Sequence, residues 1–516
     1  MIAMICSVLI VTEFAQAQTR NFDLLTASVS DIQAAVASGA LTYERLVQLY
    51  LNRIEAYDKK GPKLNAVLAI NPRALEIARA LDEERKTKGL RSPLHGIPVA
   101  VKDNVDTVDL PTTGGNLALA GTRPLKDATV IRKLREAGAI ILVKTNMDEL
   151  ARSVQGLSSL GGQILNPYDL TRHPGGSSGG TAVAVTVGFA TVGIATETGV
   201  SVRSPASNNA LIGIAPTRGL VSRAGVIPVS YTQDRIGVHA KSVVDAAALL
   251  SVIRGFDPED LSTAQSLGKA DARPYTENLT ADGLAGARIG VLRDLFRAGE
   301  QFSNGNKIVE EQIAVLRNQK TLVVDGISTG IDLAAMFPVL RVNDFEFRVA
   351  FDAYLRTRGP ESPVKTFADI LRSGKYAKNL EAVFERNSSM PFPEFDPEYL
   401  ARMENAARLK QTLIEVMDRY GVDTLVYPFK SVGARPIGTP EGDSGDNPVS
   451  AVTGLPAIVV PAGVDKDGLP IAIEFLGRPF SETRLLRMVY AFQQVSNKRI
   501  VPKTTPGLSG EVLPYK

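Results

Sequence analysis

Cysteine is almost missing from this chain of 516 residues: Cys6 is the one present, within the first twenty positions. The body of the protein therefore has no disulfide framework, no thiolate nucleophile and no cysteine-based metal site. Histidine is scarce, with only His95, His173 and His239. There is no HExxH run, and no two histidines are close enough for a helical metal pair; apart from that pattern, no metal or organic cofactor is expected for the chemistry read below. An excess of one charge is lacking too: 58 basic residues stand against 55 acidic ones, for a net charge of +3. With no basic tract and no acidic tail, a nucleic-acid partner is not expected. No apolar run reaches the roughly 20 residues of a membrane-spanning helix. Neither repeats nor low-complexity tracts occur. At 44% hydrophobic and 22% charged residues the composition is that of an ordinary globular chain.

Residues Met1 to Gln18 read MIAMICSVLIVTEFAQAQ. An apolar run, Ile2 to Val11, precedes Ala15-Gln16-Ala17, an A-x-A site for signal peptidase. Residues 1–17 are thus read as a signal peptide and 18–516 as the mature domain, periplasmic or secreted. A misassigned start, or a buried N-terminal helix in a cytoplasmic protein, are the competing readings.

What is there, further along, is an α/β pattern. Leu46, Val47, Tyr50, Leu51, Ile54 and Tyr57 repeat at helical spacing behind Thr42, an N-cap residue. Asn71-Pro72 opens a second helix running toward Arg85, with the proline expected at its first position. Ile97 to Val101 reads as a buried strand, Ala128 to Ala137 as a helix closed by Gly138, and Ala139 to Val143 as the next strand, which together make a βαβ unit. Later strands are predicted at 288–292, 321–324 and 424–427. A hairpin is predicted from 457–461 and 471–476 around Asp467-Gly468. Ser481 is the expected cap of a last helix reaching Val495. Residues 330–420 are charged and helical, suiting an insertion over one side of the sheet. The prediction is one large α/β/α domain with a twisted mixed sheet covered by helices on both faces.

The stretch from Pro174 to Ala206 reads PGGSSGGTAVAVTVGFATVGIATETGVSVRSPA. Glycine costs about 0.5–1 kcal/mol relative to alanine inside a helix or strand, so Gly-Gly-Ser-Ser-Gly-Gly reads as a loop built for positive φ and close backbone approach. The turn Thr198-Gly199-Val200-Ser201 can aim successive N–H groups at an anion. Either loop taken alone is as readily a structural turn. A serine hydroxyl is a weak nucleophile and needs an adjacent base. With no histidine beside a suitable serine in sequence, the base is expected to be something else. Lys102, ending an apolar strand, is placed to lose its charge by burial, which lowers a lysine pKa. On pattern alone, a lysine paired with Asp103 is the alternative.

Several ordered motifs then carry a resemblance. Glu197-Thr-Gly-Val-Ser-Val-Arg-Ser-Pro-Ala206, Leu94-His-Gly-Ile-Pro-Val-Ala-Val-Lys-Asp-Asn104, Ala137 to Asn146, Gly162-Gln163, Asn166 to Asp169, and Gly468-Leu-Pro with Leu476-Gly-Arg-Pro-Phe480 resemble the amidase signature family, in its peptide-amidase-like branch. The likeness covers roughly residues 25–270 and 420–496; 280–420 diverges and is expected to form part of the substrate entrance. The resemblance implies the family's fold and an amide hydrolase working through an acyl-enzyme on Ser201. It implies Ser177, on a cis peptide bond, as the bridging serine and Lys102 as the base. The amides of Thr198, Gly199, Val200 and Ser201 would form the oxyanion hole. Ser178 is a supporting hydrogen-bond partner, and Arg203 is expected to pair with Glu197 and brace the loop. The implied partner is a small-molecule amide, and a monomer or homodimer is expected.

One departure matters. The family has two glycines before the nucleophile, and here the second is Val200. A β-branched residue resists positive φ; with negative φ its N–H still serves, and its side chain narrows the acyl side of the pocket. Two further readings stay open: an amidotransferase component delivering ammonia to a partner, and a catalytically impaired member acting as a binding protein. Gly175-Gly-Ser-Ser-Gly179 also fits the G-x-S-x-G nucleophile elbow. That fold needs an acid and a histidine later in the chain, and only His239 follows. Ser362-Pro-Val-Lys365 fits S-x-x-K without its companion motifs and reads as a loop.

Overall fold

The computed structural model describes residues 20–439 and 446–515. The predicted signal peptide lies outside the described residues, as does most of the loop 438–447.

Apolar β-branched runs bounded by polar edges form one mixed sheet of eleven strands. Across it the order is Leu322–Ile327, Arg288–Leu292, Thr424–Pro428, Pro470–Leu476, Ala457–Val464, Ile212–Ala215, Arg235–Ala240, Val192–Glu197, Pro98–Lys102, Ile140–Thr145 and Val67–Ile70. The βαβ unit is present: Pro98–Lys102 and Ile140–Thr145 pair in parallel across helix Thr129–Glu136. Strand Val192–Glu197 lies parallel to Pro98–Lys102 and antiparallel to Arg235–Ala240. The hairpin around Asp467-Gly468 forms as expected, Ala457–Val464 against Pro470–Leu476.

Local signals decide the helices. Thr42 is extended (φ −121°, ψ 159°), and its side chain accepts a hydrogen bond from Arg45 N at 3.1 Å, starting helix Tyr43–Tyr57. That helix buries Leu46, Val47, Tyr50 and Ile54. Burial of a side chain of this kind contributes about 1.5–3 kcal/mol. The next helix starts later than the sequence suggested, at Ala74 rather than Pro72. The Asn71 side chain turns the chain first, accepting from Arg73 N at 2.9 Å, while its own N–H is held by Leu142 O. Ser481 stands before helix Glu482–Val495 with no side-chain cap; at φ −97°, ψ 21° its Oγ turns back and donates to Arg478 O at 2.7 Å.

Residues 280–420 are not all cover. Arg288–Leu292 and Leu322–Ile327 complete one edge of the central sheet by parallel pairing. The helical part beyond them has an apolar core of its own, with Phe347, Phe351, Phe367 and Phe384 packed together and Phe347 and Phe367 edge to face at 5.0 Å. Helix Gly179–Thr186, wholly buried, packs onto the central strands Val192–Glu197 and Pro98–Lys102. It approaches closely because Gly193 has no side chain: a Cβ there would lie 2.5 Å from Thr181 Cγ2. This contact places the Gly/Ser loop that precedes the helix over the ends of those two strands. Among the described residues no helix is long and apolar enough to cross a membrane.

Candidate active site

Lys102 ends its strand with every residue of the strand buried. Its Nζ hydrogen-bonds to Ser177 Oγ (2.7 Å), Thr196 Oγ1 (2.9 Å) and Thr196 O (3.3 Å). Burial pulls its pKa down to about 7, against the opposing pull of Asp148, Asp234 and Glu197. The alternative pairing with Asp103 is not formed. Asp103 instead accepts from Thr113 N (3.0 Å) and Gly115 N (3.2 Å), and faces Lys144 Nζ at 3.4 Å.

Each glycine of Gly-Gly-Ser-Ser-Gly-Gly has a reason to be there. Gly175 has φ +79°, and a Cβ on it would lie 2.9 Å from Asn208. A Cβ on Gly176 would lie 1.9 Å from Asp148 Oδ2, and one on Gly180 would lie 2.2 Å from Asn146 O. Gly179 and Gly180 are not loop, however; they open the helix Gly179–Thr186, where close approach matters more than propensity. The Gly176–Ser177 peptide bond is cis. Ser178 Oγ donates to Thr196 O at 3.1 Å.

Ser201 follows strand Val192–Glu197 and precedes the short helix Arg203–Asn208. It lines a pocket of about 450 Å³ together with Thr198, Gly199, Val200, Arg152 and His173. Among the described residues Ser201 Oγ has no hydrogen-bond partner, and the N–H groups of Gly199, Val200 and Ser201 donate to no protein acceptor. Val200 has no positive φ, so the valine is accommodated without backbone strain. Its side chain, half-buried, lines the pocket on one side and on the other packs against a cluster that includes Phe429 and Val459.

The loop is braced from below. Glu197 accepts from Val202 N (3.1 Å), Arg203 N (3.2 Å) and Arg203 Nε (3.1 Å), and Arg235 also donates to it. Arg203 Nη1 continues to Glu474 at 3.0 Å, and Tyr427 donates to the same carboxylate at 3.0 Å. Burial pushes the Glu197 carboxyl up, and Arg203 and Arg235 more than reverse it. The bracing role expected of Arg203 and Glu197 is seen, in a larger network than the sequence disclosed.

No histidine serves the serines. His239 Nε2 is bound to Val202 O at 2.8 Å, and burial lowers its pKa to about 4. His173 accepts from Gly175 N at 3.1 Å and is lowered to about 3 by burial. His95 faces Leu81 O at 3.0 Å.

Two residues near Lys102 escaped the sequence reading. Thr196 joins Lys102, Ser178 and Asn104, whose Nδ2 donates to Thr196 Oγ1 at 2.9 Å. Asp148 Oδ1 accepts from Gln155 N and Gly156 N, both at 2.7 Å, while its own N–H donates to Ser177 O at 3.2 Å. The carboxylate of Asp148 therefore shapes the pocket wall, and its backbone N–H seats the Ser177 loop. For Thr196 the only signal was its place in the Thr-Glu-Thr run; Asp148 had none.

The comparisons agree with this architecture. A family model described as Amidase matches residues 45–486. The crystal structure of the native peptide amidase from Stenotrophomonas maltophilia superposes with a TM-score of 0.84 at 36% identity, over 93% of this chain and 99% of that one. A protein of Arabidopsis thaliana named "Probable amidase" is 36% identical, over 94% of this chain and 92% of its own length. A Glutamyl-tRNA(Gln) amidotransferase subunit of Chloroflexus aurantiacus is 35% identical, over 91% of this chain and 96% of its own. The chain belongs to the amidase family.

Proposed function

We propose that the protein hydrolyses a carboxylic amide, to acid plus amine or ammonia, through an acyl intermediate on Ser201. The observation that carries this is the buried contact between Lys102 Nζ and Ser177 Oγ at 2.7 Å, with Thr196, which also binds Lys102, two residues before the turn of unpaired amides that lines the pocket with Ser201. A neutral lysine has two N–H groups and one lone pair. Thr196 Oγ1 and Thr196 O accept the two protons, and the lone pair is left for the Ser177 hydroxyl. Ser177 passes a proton to Lys102 and takes one from Ser201 as Ser201 Oγ attacks the amide carbon. The N–H groups of Thr198, Gly199, Val200 and Ser201 receive the developing oxyanion; loss of one such donor costs about 2.7–4 kcal/mol of barrier. The proton returns through Ser177 to the leaving nitrogen, and water then cleaves the acyl-Ser201 ester by the same relay. Export to the periplasm or beyond belongs to this reading on the strength of residues 1–17.

Mass spectrometry of protein quenched during turnover of an amide tests it. The expected result is an acyl adduct on the peptide containing Ser201, absent in Ser201→Ala, which also loses turnover. Retained turnover in that variant would sink the assignment.

The amidotransferase relatives favour a second reading, delivery of ammonia to a partner complex. Ammonia release from simple amides by the isolated protein, with gel filtration showing no partner, decides between them.

A further inference from the structure

We propose that the active-site pocket continues into a side chamber that holds an anionic group, so that the substrate is an amide carrying a carboxylate, or a like anion, remote from the bond that is cut. The inference rests on the Ser201 reading for the word substrate, and on the chamber itself for the anion.

The chamber has a volume of about 190 Å³ and shares Gln233 and Val452 with the pocket that holds Ser201. Its walls are mostly apolar: Leu340, Val342, Met403 and Ala406 stand beside Val452, with Thr232 and Thr453 as the hydroxyl-bearing exceptions. Two cations face it, Arg218 from the loop after strand Ile212–Ala215 and Lys410 from helix Pro397–Arg419. Neither side chain makes a hydrogen bond or an ion pair among the described residues, although both are half-buried. The Arg218 guanidinium lies against Gly454, where a Cβ would come within 3.0 Å of Cζ.

Half-buried cations without counter-ions are unusual, because removal from water must be offset by pairing. Burial, then Arg235 and Arg223, lower Arg218 to about 10. Burial, then Arg218 and Lys269, lower Lys410. The one carboxylate that acts on Arg218, Glu346, is committed elsewhere: it accepts from Thr232 N (3.1 Å), Thr232 Oγ1 (2.7 Å) and Tyr399 OH (2.8 Å), and also from Ser230. Gln233 adds a neutral donor. Its Oε1 is occupied by Val342 N at 3.2 Å, while its Nε2 has no partner among the described residues. Two cations and an amide N–H lining a mostly apolar chamber match a carboxylate on a short hydrocarbon chain. An anion entering from the Ser201 side would relieve the repulsion between Arg218 and Lys410.

The test is calorimetric titration of the Ser201→Ala protein with glutarate, adipate and pimelate, and with the monocarboxylates of equal length, so that no turnover is needed. The expected result is at least tenfold tighter binding of the best dicarboxylate than of its monocarboxylate, with the preference lost in Lys410→Gln and in Arg218→Gln and restored in Lys410→Arg. Thermal melts accompany each variant. Lys410 is half-exposed on a helix surface, so Lys410→Glu serves as a second probe and is expected to weaken the dicarboxylate further. Inorganic phosphate is expected to compete with the dicarboxylate; phosphate binding without competition would place the anion away from the substrate path and overturn the proposal. Equal affinity for both acids, or a preference that survives both glutamine substitutions, would also overturn it. Anion preference with no turnover of any amide by the wild-type protein would strike the Ser201 reading and leave the chamber standing.

Discussion

At the scale of single residues the proposed mechanism turns on the proton of Lys102. A lysine acting as base must be neutral, and burial brings its pKa to about 7, so the active fraction rises as pH passes upward through that value. The acid limb of the kcat/KM profile is therefore expected near pH 7 rather than near the 10.4 of a free lysine. Asp148 is first among the charges that hold the proton on. Asp148→Asn removes a nearby negative charge, lowers the lysine pKa and moves the acid limb to lower pH. The variant also loosens the loop, because Asp148 holds Gln155 and Gly156, so kcat falls as well. A pH–rate profile of both proteins checks this; an unmoved limb in Asp148→Asn would remove Asp148 from the proton's environment. The contact of Lys102 with Ser177 and the place of Ser201 in the pocket were legible because these residues sit in ordered local motifs that resemble the amidase signature family. Asp148 and Thr196 were not: the contacts that matter span 94 residues for Thr196 with Lys102 and run to the Ser177 loop for Asp148. Arg218 and Lys410 were invisible for the same reason, being brought to one chamber by folding.

At the scale of elements, the glycine-rich stretch divides into positions that need glycine and one that does not. A Cβ on Gly176 would meet Asp148 Oδ2 at 1.9 Å, and the carboxylate cannot retreat without releasing three backbone N–H groups, those of Gln155, Gly156 and Leu157. Gly199 has nothing within 4 Å of its hypothetical Cβ and no positive φ. Gly176→Ala is expected to cost about 1–3 kcal/mol, as overpacking does, whereas Gly199→Ala is expected to stay within about 0.5 kcal/mol of the parent. Denaturant midpoints of the two variants measure the difference, and equal midpoints would contradict it. The same contrast shows where sequence reading reached its limit. Period and caps located helix Tyr43–Tyr57 and the βαβ unit, since these depend on neighbours in the chain. Whether Gly179 and Gly180 were loop or helix depended on Asn146 and Pro174 pressing against them, which no local rule contains. Strands Arg288–Leu292 and Leu322–Ile327 were legible as strands, yet their place at the edge of the central sheet was not, because pairing is set by partners far along the chain.

At the scale of the whole molecule, one sheet runs from Val67–Ile70 at one edge to Leu322–Ile327 at the other, so the halves of the chain share a core and are expected to unfold together. The two ends of the described chain are tied to that core. Strand Arg20–Asp23 pairs with Val512–Tyr515, and just before the latter Glu511 meets the fully buried Arg53 at 2.8 Å. Arg53 Nε also donates to Val187 O at 2.7 Å and Nη2 to Thr505 O at 2.9 Å, so one guanidinium joins helix Tyr43–Tyr57, the end of helix Gly179–Thr186 and the C-terminal segment. Breaking such a pair from one side leaves a buried charge without compensation, at a cost of about 3–5 kcal/mol. For a chain of this length the entropy of unfolding is about 1 kcal/mol/K, so Glu511→Gln is expected to lower Tm by about 3–5 °C. Because the strap is joined to the central core, calorimetry is expected to show the single main transition moving as a whole. An early shoulder beside an unmoved main transition would mean that the C-terminal strap melts by itself and that Arg53 finds water once it has gone.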